Sequence, residues 1–108
     1  RGQIVNISSI AGLAPSGSSI LYAVSKAGLI HLTRCIVVGL VNCIAPGYLE
    51  GTRGSANLDP VYRAWAVEGE LLKRATDKDD VADQVVALCR TESITGQTLV
   101  MDSGRFFH

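Results

Sequence analysis

Ile4, Val5 and Ile7 are β-branched and apolar, and they predict a buried strand over residues 1–9. A loop rich in Gly, Ser and Ala, with one Pro, follows at 11–19 and ends in Ser18 and Ser19, two good helix N-cap candidates. From Ser19 to about Leu40, apolar residues spread over a wide face: Leu21, Val24, Ala27, Gly28, Ile30, Leu32 and Ile36. That breadth predicts a helix packed between a sheet and a further layer or subunit. Residues 41–45 predict a second strand, closed by Pro46 and Gly47. Strand, helix and strand in this order make a right-handed crossover between parallel strands. A polar loop at 48–59 leads into a helix over 60–72, with Pro60 near its first turn. A last helix begins at Asp77, its acidic residues at the positive end of the dipole and Val81, Val85, Val86, Leu88 and Cys89 on its apolar side. Residues 98–101 predict a third strand, which Asp102, Ser103 and Gly104 turn out.

The pattern is α/β. It reads as the C-terminal half of a Rossmann-type doubly wound parallel sheet, with about three strands and their helices. One join is irregular. A helix reaching Leu40 leaves no connection before a strand at Val41, where such links usually take about 2–6 residues. The sequence therefore suggests a loop left out at this point. An ordinary peptide bond of about 1.33 Å between Leu40 and Val41 would refute that reading.

Composition narrows the class. The chain has 108 residues, 47% of them hydrophobic, and a mean hydropathy of +0.26. A small domain exposes much surface and should be more polar, so the excess fits a piece whose faces other protein covers. Ten basic residues balance ten acidic ones, which argues against nucleic acid or an anionic membrane as partner. The longest apolar run, 35–41, is too short to span a bilayer. The three cysteines, Cys35, Cys43 and Cys89, are odd in number and scattered among apolar residues. They read as buried, reduced thiols, with a cytoplasmic location implied.

The chemistry lies between the first strand and its helix. Tyr22 and Lys26 stand four residues apart and share one helix face. A free phenol ionises near pH 10, and a cation one turn away favours the phenolate. Ser9, at the strand end, could hold a substrate oxygen beside that phenol. Tyrosine as general acid, lysine as tuner and serine as positioner suit proton transfer to a carbonyl or from an alcohol.

These residues resemble a family. Ser9, Tyr22 thirteen positions later, and Lys26 are similar to the catalytic signature of the short-chain dehydrogenase/reductases. Asn6-Ile-Ser-Ser-Ile-Ala-Gly12 resembles the segment around the family's catalytic serine. Asn42-Cys-Ile-Ala-Pro46-Gly47 resembles its strand and Pro-Gly turn beside the nicotinamide, and Ile94 through Gly104 resembles its last strand. Four blocks in order are far more specific than Tyr-x-x-x-Lys alone. The resemblance implies that Ser9, Tyr22 and Lys26 are catalytic. It also implies that Tyr22, Lys26, Pro46, Gly47, Leu49 and Thr52 touch a nicotinamide cofactor, NAD or NADP. In the family, backbone at a position like Leu49 and a hydroxyl past the Pro-Gly hold the carboxamide, though Thr52 sits slightly later than is usual. The substrate implied is a small carbonyl or alcohol, and the assembly a homo-oligomer, a tetramer or dimer. Residues 48–72 would be the lid over cofactor and substrate.

No glycine-rich fingerprint for the adenosine and pyrophosphate occurs in this chain. The expectation is thus one partial domain over 1–108, without the N-terminal dinucleotide-binding half. Elsewhere, His31 reads as a packing or surface residue and His108 as a terminal one. Tyr62 and Trp65 could line a substrate pocket, with packing of the lid an equal alternative. The acidic cluster at 77–80 reads as helix capping. A rival to the oxidoreductase is a non-catalytic binding or assembly subunit of the same fold, which the intact Ser9, Tyr22 and Lys26 disfavour.

Overall fold

The computed structural model describes residues 2–15, 19–52 and 59–106. Strand β1 is Gln3–Ile7, a 3₁₀ turn is Ile10–Gly12, helix α1 is Ile20–Cys35, and strand β2 is Leu40–Pro46. Helix α2 is Pro60–Glu68, helix α3 is Lys78–Cys89, and strand β3 is Thr98–Met101. The sheet is parallel in the order β1-β2-β3. Ile7 pairs with Ile44, and Pro46 with Met101, so all three strands end on one edge.

Central β2 is buried along its whole length, as a strand covered on both faces by crossover helices must be. Ile44 packs with Val81 and Leu88 of α3, and Val5, Leu49, Val85 and Met101 close around them. Asn42 is polar and buried among these residues, so its amide needs partners. It donates to Ile94 O at 2.9 Å and accepts from Gln97 N at 3.1 Å, which ties the approach to β3 onto β2. On the α1 side, fully buried Thr33 donates to Leu29 O and accepts from Asn6 Nδ2 at 3.1 Å. The helix starts follow their caps: Ser19 Oγ accepts from Tyr22 N, Asp59 from Val61 N and Asp77 from Asp79 N. The capping reading of the acidic cluster therefore holds. Ser18 lies outside the described residues.

Several boundaries differ from the sequence reading. Strand β1 is shorter, leaving Ser8 and Ser9 beyond its end. Helix α1 stops at Cys35 and not near Leu40, because Val37, Val38 and Gly39 are poor helix formers and Leu40 is claimed by pairing with Gln3. The connection therefore occupies 36–39, an ordinary length. Helix α2 ends at Glu68 and not at Leu72. Gly69 caps it, and the Leu71 and Leu72 amides turn to Gly104 O and Ser103 O instead. Among the cysteines only Cys43 is buried. Cys35 and Cys89 end their helices and are exposed, so the expectation of three buried thiols is corrected, although all three are free. The pocket around Cys43 pushes its thiol up from the usual range, chiefly by burial. No helix among the described residues is long and apolar enough to cross a membrane.

Candidate functional site

In an open parallel sheet, ligands meet the carboxyl ends of the strands, where loops and helix N-termini converge. Here that edge gathers Ser8 and Ser9 after β1, Gly47 after β2 and Asp102 after β3. The N-terminal turns of α1, which carry Tyr22 and Lys26, follow directly from β1.

The two adjacent serines divide the work. Ser8 is buried, receives its place from Ser8 N donating to Ile44 O at 2.7 Å, and donates its hydroxyl to Lys26 O at 2.7 Å. That bond binds the end of β1 to α1 at the residue of interest. Ser9 is half-buried, and its Oγ accepts from Ala11 N at 3.1 Å as the cap of the 3₁₀ turn. The Ser9 hydroxyl proton is therefore still available to a ligand.

Gly12 closes the arrangement. A Cβ there would lie 2.7 Å from Ala27 N and Lys26 C, so the turn after Ser9 sits directly on the α1 backbone at Lys26. Lys26 Nζ donates to Ile7 O at 3.2 Å and lies 5.6 Å from the centre of the Tyr22 ring. Tyr22 is 40% exposed. Its backbone is held by the Ser19 cap and by Ser25 Oγ, which donates to Tyr22 O at 2.8 Å. The structure thus sets the Ser9 turn against the α1 backbone at Lys26 through Gly12, with the Tyr22 ring beside the Lys26 ammonium on the same helix.

The Pro46–Gly47 turn stands beside the Ser9 turn. Pro46 pairs with Met101, and Gly47 N donates to Met101 O at 2.9 Å. A Cβ on Gly47 would meet Asp102 Cβ at 2.9 Å and Ile10 Cδ1 at 3.6 Å. Asp102 is itself fixed as a turn, accepting from Gly104 N and Phe106 N. Leu49 faces inward onto the core around Ile44 and bridges to Thr76. Thr52 follows Gly51, whose φ of +75° only glycine adopts freely. Of the residues expected at a cofactor, Pro46 and Gly47 adjoin the Ser9 turn through Ile10, whereas the Leu49 side chain is spent on packing.

Two positioning residues escaped the sequence reading. Ser8 carried no signal of its own beside Ser9, and its hydroxyl proves to anchor the strand end to Lys26 O. Gly12 carried no signal beyond being a loop glycine, because its contact is with a helix fourteen residues on.

The sequence matches, over residues 1–105, the family model described as Enoyl-(Acyl carrier protein) reductase. It is 38% identical over 109 residues to the short-chain dehydrogenase/reductase homolog YusR of Bacillus subtilis, covering 96% of this chain and 83% of that protein. It is 37% identical over 111 residues to the 3-oxoacyl-[acyl-carrier-protein] reductase FabG of Chlamydia muridarum, covering 95% of this chain and 44% of that protein. A crystal structure of a short-chain dehydrogenase from Leptospira borgpetersenii with bound NAD+ superposes with a TM-score of 0.87 at 30% identity, over 98% of this chain and 45% of that one. The chain belongs to the short-chain dehydrogenase/reductases, a family of oxidoreductases. It spans about 44% of the length of most of the curated relatives it matches, and its α/β fold is that of part of their Rossmann-type domain.

Proposed function

We propose that this chain supplies the nicotinamide side of the active site in an NAD- or NADP-dependent oxidoreductase that interconverts a carbonyl and an alcohol. The observation that carries the reading is the Ser9 turn set against Lys26 at the carboxyl edge of the sheet, with Gly12 pressed onto Lys26 and the Tyr22 ring beside its ammonium. The residues present fit such a cofactor. The close packing of Gly47 on Asp102 and Ile10 holds the Pro46–Gly47 turn beside the Ser9 turn, Lys26 offers ammonium hydrogens to a ribose, and Thr52 has a hydroxyl nearby in sequence. When bound, the nicotinamide supplies the hydride chemistry.

The protein's part is orientation and proton handling. Ser9 donates its hydroxyl to the reacting oxygen and fixes it. Tyr22 gives a proton to that oxygen in the reducing direction and removes it in the oxidising direction. Lys26 keeps its ammonium on the same helix face, 5.6 Å from the centre of the Tyr22 ring. No group among the described residues hydrogen-bonds the Tyr22 hydroxyl, which leaves it for substrate. The adenine side of the site is assigned to residues outside 1–108. Homo-oligomerisation as a dimer or tetramer belongs to the same reading, supported by exposed Ile20, Leu21 and Val24 on α1. Three free thiols support a cytoplasmic setting.

Tyr22→Phe in the full-length enzyme tests the assignment. Turnover should fall by at least about 10²-fold, the usual worth of a positioned general acid, while NADH or NADPH binding, read by fluorescence titration, stays within about threefold of the parent. Turnover that survives the change refutes the role of Tyr22.

A further inference from the structure

Helix α2 buries little of itself and is held mainly by polar and ring contacts, among them the ion pair of its Arg63 with Glu50. Of its residues only Ala66 is buried, while Val61, Tyr62 and Trp65 are exposed. Its aromatic side forms a row. The Tyr48 and Tyr62 rings lie edge to face with centroids 6.5 Å apart, Tyr62 and Trp65 follow at 5.7 Å, and the Arg105 guanidinium covers Trp65 at 4.5 Å. Arg105 Nη1 also donates to Ala66 O at 2.9 Å. The row joins the stretch after Gly47, helix α2 and the turn that follows β3.

Glu70 stands just beyond the end of α2 and is fully buried. Neither carboxylate oxygen has a hydrogen-bond partner, and Arg105 Nη1 stops 3.8 Å away. A native fold rarely leaves a buried carboxylate without donors, because its charged form is then costly. The backbone on both sides is nevertheless tied down: Leu71 N and Leu72 N donate to Gly104 O and Ser103 O, and Arg105 packs so closely on Gly69 that a Cβ there would run into the guanidinium.

We propose that buried Glu70 is the proton switch of a latch in which Arg105, through Ala66 O and the Trp65 ring, holds α2 against the turn after β3, closed when Glu70 is protonated and loosened when it is ionised. The groups acting on Glu70 from that turn are Arg105, which favours the charged form, and Asp102, which opposes it. Glu68 and Lys73, its neighbours on the α2 side, are exposed and pair with each other. Burial outweighs Arg105 and lifts the Glu70 carboxyl from 4.5 to about 6. Once α2 swings away and water reaches Glu70, the ordinary value returns, so closing takes up a proton. Across that window the ratio of closed to loosened forms falls about thirtyfold as pH rises, the linkage equivalent of the shift. The bearing on catalysis rests on the function proposed above, since Tyr48 directly follows Gly47 and the row would carry motion of α2 to the site's mouth. The latch itself does not depend on it.

Hydrogen exchange in the full-length protein tests the proposal, with rates corrected for intrinsic chemistry and read from about pH 4.5 to about pH 7.5. Protection of amides in 61–72 should fall by about thirtyfold over this range, while α3 amides hold steady. In Glu70→Gln the protection of 61–72 should be independent of pH. Protection that is flat in the parent, or that falls equally in Glu70→Gln, overturns the latch. Should Glu70→Gln fail to fold, a carboxyl-resolved NMR titration of the parent decides: a Glu70 midpoint near 6 supports the latch, and one at or below about 4.5 overturns it. Neither readout involves a nicotinamide, so loss of the oxidoreductase reading and loss of the latch are separate results.

Discussion

A single methyl group at position 12 measures how closely the Ser9 turn must sit on α1. In Gly12→Ala the new Cβ would lie 2.7 Å from Ala27 N, 2.7 Å from Lys26 C and 2.9 Å from Lys26 O. All three are main-chain atoms inside a helix and cannot swing aside as a side chain could. Ordinary contact begins at 3.4 Å, so the turn must retreat by about 0.7 Å or α1 must bend. Overpacking of this kind costs about 1–3 kcal/mol. Removing a glycine from the unfolded chain returns about 0.4–1 kcal/mol. The expected net loss is about 1–2 kcal/mol, read by urea unfolding of the full-length enzyme. Function should suffer more than stability, because the retreat carries Ser9 with it and stretches the Ser8–Lys26 bond of 2.7 Å. A misplacement approaching 1 Å can cost about 10²-fold, so kcat should drop by about ten- to a hundredfold. Gly28→Ala is the matched control. Nothing lies within 4 Å of a Cβ there, the position is inside α1, and alanine should stabilise by about 0.5–1 kcal/mol. A Gly12→Ala protein that unfolds with the parent and keeps its kcat would refute the close-packing argument.

Two further outcomes follow from buried polar groups. The folded chain holds the Glu70 proton more tightly than the unfolded chain, about 6 against 4.5. The stability this contributes is full below 4.5 and is lost as pH rises through about 6, a change of roughly 2 kcal/mol. Glu70→Gln should abolish that slope in denaturant midpoints measured against pH, and an unchanged slope would exclude Glu70 as its source. The serine pair should separate cleanly. Ser8→Ala removes a buried bond to Lys26 O and should cost about 1 kcal/mol in urea unfolding. Ser9→Ala, which loses only the cap of a short turn, should cost less stability and far more turnover; a reversal of the two would assign the substrate contact to Ser8.

What the sequence made legible was what lies close along the chain or repeats with a fixed period. Tyr22 and Lys26 share a helix face by spacing alone, the Ser19 and Asp77 caps stand beside the amides they satisfy, and the apolar run of β2 had to be central. The strand count, the parallel order and the crossover followed from these. What was hidden depends on partners far off in sequence. Nothing near Gly12 announces Lys26, nothing near Glu70 announces Arg105, and Thr33 breaks an apolar pattern because Asn6 on β1 waits for it. Helix α1 was read too long for the same reason, since Leu40 is apolar enough for either element and only its pairing with Gln3 decides.

The same contrast bears on how the site is built. The residues with candidate chemistry stand on a strand end and a helix start, where local rules fix them to within a turn. The residues that hold them to working tolerance act through space: Ser8 through Lys26 O, Gly12 through the α1 backbone, and Gly47 through Asp102. A chain that kept Ser9, Tyr22 and Lys26 but exchanged Gly12 and Gly47 for larger residues would retain the motif and lose the geometry. The motif and its supporting contacts are thus separable, and exchanging Gly12 or Gly47 while keeping Ser9, Tyr22 and Lys26 measures what the supporting contacts contribute.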